Sequence, residues 1–210
     1  MPKGNIQVGL GLKMPTGDYE ATDTFYTTSG PKDFAVDQSI QPGDGGWGFT
    51  TEFYAWREVA KRTTVYLQGY YLFNPEDVNG VSTETGLIRP KSIKALRNAA
   101  AAENATAIAR LATAQQLGYD NDTALEDIMS IGDQYLMRGG ASFVLWPEWG
   151  LSISLGARLE GVPVEDLLGD SDGFRRPGYT VSIEPGISLM KGRFSASVYA
   201  PVAMYRNREA

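Results

Sequence analysis

The chain has 210 residues, 42% of them hydrophobic and 21% charged, with a net charge of −6 and neither cysteine nor histidine. Disulfides, thiolate metal sites, His-based catalytic triads and most zinc centres are thereby excluded, and the acidic balance offers no basic stripe for phosphates, so nucleic acid is not an expected partner. The length suffices for one domain, and no apolar run approaches the roughly 20 residues of a transmembrane helix.

The first segment, Gly4 to Met14, alternates strictly. Ile6, Val8, Leu10, Leu12 and Met14 point one way, and Asn5, Gln7, Gly9, Gly11 and Lys13 the other. Period-two alternation marks a β-strand with one greasy and one polar face. The opening MPKGNIQVG enters this pattern without a signal peptide. For an exported protein the expectation is that a leader has been removed or that the chain is a piece of something longer. From Pro15 to Gly45 the sequence is rich in Thr, Asp, Gly and Pro and reads as a long loop.

The second segment runs from about Trp47 to Val59, with Trp47, Phe49, Phe53 and Ala55 opposing Thr50, Glu52, Tyr54 and Glu58. Lys61 and Arg62 form a tight connection to the third, Thr64 to Asn74, where Val65, Leu67, Tyr71 and Phe73 oppose Gln68, Tyr70 and Asn74. A second long connection spans Pro75 to about Asp133. Within it Ser92 to Leu117 is alanine-rich with helical spacing, and Thr123 and Glu126 sit at capping-box spacing, so a helical insert is expected over residues 88–130. That insert reads as a lid or plug, or as a solvated loop decoration.

The fourth segment, Gln134 to Trp146, sets Tyr135, Met137, Ala141, Phe143 and Leu145 against Arg138, Gly140 and Ser142. Pro147-Glu148 turns into the fifth, Trp149 to Gly161, whose odd positions are Trp, Leu, Ile, Leu, Ala and Leu up to Leu159, and whose even positions include Ser152, Ser154, Arg158 and Glu160. After a third loop, Val162 to Pro177, the sixth segment, Tyr179 to Leu189, sets Val181, Ile183, Ile187 and Leu189 against Thr180, Ser182, Glu184 and Ser188. Lys191-Gly192 leads to the seventh, Phe194 to Tyr205.

Connections after the first, third and fifth segments are long; those after the second, fourth and sixth are short. In an antiparallel meander this collects all short turns at one end and all long loops at the other, as in outer-membrane barrels. The alternation in Trp149–Gly161 also runs past the five or six residues of an ordinary strand to the roughly 9–11 of a bilayer-crossing one. Aromatics fall near segment ends, and Trp47, Tyr71, Trp146, Trp149 and Tyr179 are expected at the membrane interfaces. The expected fold is therefore all-β: an antiparallel up-and-down meander of about seven long strands from a transmembrane β-barrel, one partial-barrel domain over residues 1–210 with the helical insert in its second long loop. A soluble or periplasmic β-barrel with the apolar face turned inward and an apolar ligand inside shares the alternation.

Three stretches, GLGLKMPTGDY at Gly9–Tyr19, VDQSIQPGDGGWG at Val36–Gly48 and SDGFRRPGY at Ser171–Tyr179, resemble a family of Gram-negative outer-membrane β-barrel proteins labelled as transporters or phenol meta-pathway barrels. The likeness covers most of the chain outside about Gly86–Glu126. It implies an outer-membrane channel for small aromatic or hydrophobic molecules, and carries no catalytic residue. Members of the family are longer, and seven strands is an odd number where single-chain bacterial barrels are even, so the chain is expected to be an internal fragment.

On the polar face, Lys13, Glu52, Arg138, Arg158, Glu160 and Glu184 are candidate lumen-lining residues, mixed in sign. Charges along a narrow passage tune which solutes pass; they also pair to fill a small barrel, and Arg158 with Glu184 is a candidate cross-strand pair. Asp170-Ser171-Asp172-Gly173 lacks the third ligand position and terminal Glu of a calcium loop, and Asp120 and Asp122 fare no better. Gly9-Leu10-Gly11 lies in a strand with no helix after it, so it is not a nucleotide fingerprint. Arg175 and Arg176 are candidates for polyanionic lipid heads or for local pairing with Asp170 and Asp172. The expected function is passive passage of small solutes, non-enzymatic, without cofactor or metal, with outer-membrane lipid and a small-molecule solute as partners. An outer-membrane lipid-modifying enzyme is a weaker reading, since a serine nucleophile would lack its usual His base.

Overall fold

A computed structural model describes residues 3–27, 30–83, 105, 108, 109 and 128–208. Its strands are β1 (Gly4–Lys13), β2 (Thr22–Thr27), β3 (Gly30–Ala35), β4 (Gly48–Ala60), β5 (Thr63–Phe73), β6 (Val78–Ser82), β7 (Ile128–Ser130), β8 (Gln134–Trp146), β9 (Leu151–Val162), β10 (Gly178–Lys191), β11 (Phe194–Tyr199) and β12 (Val202–Arg208). One antiparallel sheet runs β1-β4-β5-β8-β9-β10, and β11 and β12 share the next place along β10. Every neighbour in the sheet is the next long strand in the chain, so the sheet is a meander, curled into a half-barrel.

The seven alternating segments occupy seven places. The last is broken in two at Ala200-Pro201, where proline has no N–H to donate, and β10 answers with a register shift between Val181 and Ser182. A second irregularity, between Val144 and Trp146, brings Trp146 opposite Leu151 and so onto the apolar face that strict alternation would deny it.

Among the described residues the expected helical insert over residues 88–130 is not found as an element of the fold. Its end, Ile128–Ser130, is strand β7 paired with β6, and most of the remainder lies outside the described residues. Backbone pairing explains the difference at this end: Ser130 N–H donates to Phe174 O at 3.0 Å and Phe174 N–H to Ile128 O at 2.7 Å, while Met129 and Ile131 are buried. At Ile128 and Met129 those tertiary partners outweigh the local helical pattern, and the capping pair Thr123 and Glu126 lies outside the described residues. The first long loop also holds more structure than its composition suggests. Thr22–Thr27 and Gly30–Ala35 pair as a hairpin with Phe25 against Phe34, their ring centroids 6.0 Å apart.

Burial along the sheet is inverted relative to a soluble protein. In β9 the odd, apolar positions 153 to 159 are exposed and the even, polar ones half-buried. Val8 is 77% and Leu155 62% exposed, whereas Ser182 is 3% and Glu184 1% exposed. Among the described residues the buried hydrophobic core is Met129 and Ile131, beneath the long loops and not between sheet layers.

Candidate functional site: the polar inner face

Strand register brings the polar positions of separate strands into rows. One row reads Gln7, Tyr54, Gln68, Arg138, Arg158 and Ser182; the row beside it reads Asn5, Trp56, Tyr66, Gly140, Gly156 and Glu184. Arg138 and Arg158 thus face one another directly, an arrangement that is unfavourable on its own. Glu184 resolves it. Arg138 Nη1 donates to Glu184 Oε1 at 3.1 Å, Arg158 Nη1 stands 3.6 Å from Glu184 Oε2, and Arg158 also pairs with Glu160. Gln68 Oε1 accepts from Arg138 Nε at 3.1 Å.

The glycines in these rows are what lets the side chains reach. A Cβ at Gly156 would stand 2.7 Å from the Tyr66 hydroxyl, and one at Gly186 would collide with the Tyr199 ring. With hydrogen there instead, the rings lie along the sheet, and the Arg138 guanidinium stacks 4.8 Å over Tyr199. Arg138 on β8 and Tyr199 on β11 are three places apart, about 14 Å on a flat sheet. Their contact follows from the curl, with the polar face on the inside.

At the long-loop end this face is roofed by the connections. Lys13 Nζ donates to Asp44 and, at 2.7 Å, to Asn74 Oδ1, tying β1 to the first and second long loops. Asp133, fully buried, accepts from Asn74 N–H at 2.7 Å, the Tyr71 hydroxyl at 2.9 Å and Leu167 N–H at 3.0 Å, while its own N–H donates to Asp166 Oδ1 at 2.8 Å. Arg175 Nη1 lies 2.8 Å from that same Asp166 oxygen. One carboxylate therefore fastens the second and third long loops to the end of β5.

Of the residues singled out from sequence, Arg138, Arg158, Glu160 and Glu184 form one cluster, and Lys13 belongs to the roof. Glu52 stands apart on the same face between Gly9 and Tyr70, exposed and in no ion pair among the described residues. Arg176 pairs through both nitrogens with Asp37, at 3.0 and 2.7 Å, and not with Asp170 or Asp172. That contact, together with the bonds from Ser39, holds the Asp37 carboxyl well below the usual carboxylate range. Sequence reading missed Asn74, Asp133 and Asp166 as a connected group, because loop acids carry no period. It also missed Tyr66 and Tyr199, whose signal was the facing glycines.

The outer face carries aromatics at both ends. Tyr71, Tyr135 and Tyr179 occupy one row, with Gly161 between the last two; Phe49 stacks on Phe73 at 4.7 Å, Tyr179 packs on Tyr205 at 5.8 Å, and Trp47 is exposed just before β4. At the short-turn end stand Trp146 and Trp149. From Tyr135 to Trp146 is about 37 Å of strand, or about 28 Å at a 40° tilt, close to the apolar band of a membrane barrel. Neither the protein-family models nor the curated proteins compared with this chain match it.

Proposed function

We propose that this chain is part of the wall of an outer-membrane β-barrel through which small solutes diffuse, with its polar face as the lining. The observation that carries the reading is the inverted burial: leucines, isoleucines and valines exposed along β1, β5, β9 and β10, and Met137 and Phe143 on β8, while Glu184 and Ser182 are enclosed. Exposed apolar patches beyond a few hundred Å² are rare on soluble monomers, and here a whole sheet face is of that kind. Two aromatic bands a bilayer's depth apart and loops sorted by length favour the same solvent. A soluble barrel around an apolar ligand calls for the opposite exposure. On this reading the chain performs no catalysis.

The lining is polar but close to neutral, since both arginines and Lys13 have carboxylate partners. A neutral, tyrosine-rich passage filters by size and polarity more than by charge, which suits the small aromatic or hydrophobic solutes that the resemblance implies. Planar-bilayer recording tests the proposal. Stepwise conductance is expected on adding the full-length barrel whose wall includes this sheet; a bilayer that stays silent at protein levels shown to insert would contradict it.

A further inference from the structure

The two rims of the sheet differ in charge. At the short-turn end stand Lys3, Arg57, Lys61, Arg62, Lys191 and Arg193 against only Glu58 and Glu148, and among the described residues none of these six cations is in an ion pair. At the long-loop end Lys13, Arg175 and Arg176 are each paired and Lys32 and Arg206 are in no ion pair among the described residues, but acids there are many more. One of these cations, Lys191, stands at a particular feature. Trp146, Trp149, Leu151 and Leu189 line an outward-facing cleft of about 440 Å³, and Lys191 Nζ sits 5.0 Å over the Trp149 ring at its mouth.

Turn geometry builds the cleft. Trp149 N–H donates to Trp146 O at 3.2 Å and Gly150 N–H to Pro147 O at 3.1 Å, with Gly150 at a φ of 63°, so both indoles are held at the rim. Gly150 O in turn accepts from Met190 N–H at 3.0 Å, which brings Lys191 alongside. On the other flank Val144 N–H donates to Arg62 O at 2.9 Å. An apolar floor, aromatic walls and an uncompensated ammonium at the mouth match one kind of occupant: an acyl chain below and a phosphate above.

Resting on the membrane reading above, we infer that this rim is a binding site for an anionic phospholipid, its acyl chain against Leu151 and Leu189 and its headgroup phosphate at Lys191. Indoles place themselves at the headgroup level, and each cation near an anionic lipid surface favours binding. The site also fixes which leaflet the rim occupies, since the acid-rich opposite end would repel the same lipid.

Tryptophan quenching by brominated lipid tests it. The protein is reconstituted in phosphatidylcholine vesicles containing a minor share of phosphatidylglycerol, with bromine on one lipid or the other. The expected result is an enrichment of phosphatidylglycerol next to the tryptophans of about fivefold, the contribution of one cation at a lipid surface. That enrichment should vanish in Lys191→Gln and survive in Lys191→Arg. Equal quenching by both lipids, or a preference untouched by Lys191→Gln, would overturn the inference and leave the barrel reading standing. No quenching by either lipid would overturn both.

Discussion

Arg138 and Arg158 are direct partners across the β8–β9 ladder, two like charges kept side by side by the one buried carboxylate of Glu184. Removing one member of a buried ion-pair group costs about 3–5 kcal/mol, because the remaining charge is left uncompensated. Glu184→Gln should therefore destabilise the sheet by that order in urea unfolding from lipid vesicles. Adding Arg138→Gln should restore part of the loss, since the repulsion goes with it. A double variant no more stable than the single one would show that Glu184 acts by packing alone.

The roof over the inner face hangs on Asp133. An amide there can accept at one position only, whereas the carboxylate serves Asn74 N–H, the Tyr71 hydroxyl and Leu167 N–H together. Leaving a buried donor unmet costs about 1–3 kcal/mol. Asp133→Asn should expose the loop at 163–177 to limited proteolysis while the long strands stay protected. Unchanged cleavage would remove Asp133 from that role.

The Asp37–Arg176 contact sets a pH limit on the same end. Because the folded carboxyl titrates below its unfolded value of about 4, the contact contributes fully above that pH and is lost as pH falls through the lowered folded value. Both groups are more than a third exposed, so little global stability rides on it. Carboxyl-carbon NMR should show Asp37 still ionised near pH 3, and Arg176→Gln should bring its titration back toward 4. An Asp37 midpoint near 4 in the unaltered protein would contradict the pairing.

Glu52 is an exposed inner-face carboxylate without an ion-pair partner among the described residues, so on the pore reading its field reaches a passing ion less compensated than that of Glu160. Glu52→Lys should shift the reversal potential in a salt gradient toward anions, whereas Glu160→Gln, whose charge is taken up by Arg158, should shift it less. Equal shifts would mean that pairing does not mute the lining.

Much of the sheet was legible in the sequence because a strand with one apolar and one polar face writes its period directly. Leu155 beside Gly156 and Ile183 beside Glu184 mark which positions share a face, though not the register that sets Glu184 opposite Gly156. What alternation alone leaves open is which face is outside, and the exposure of Val8 and Leu155 against the enclosure of Glu184 supplies that. The loops were read poorly for a physical reason. Ile128–Ser130 is a strand because β6 and Phe174 supply its hydrogen bonds, and partners so distant in the chain leave no local mark beside a capping pattern. The Asp133 node is invisible for the same reason, being assembled from the end of β5 and two separate loops.

Adjacent positions on β1 probe the outer face most directly. Val8 and Gln7 are both exposed, on the apolar and the polar side, so in water an arginine at either position should cost little. In lipid, Val8→Arg should lose about 2–4 kcal/mol near the midplane and Gln7→Arg almost nothing, measured by reversible unfolding from vesicles. Equal tolerance of both substitutions would contradict the assignment of the apolar face to hydrocarbon.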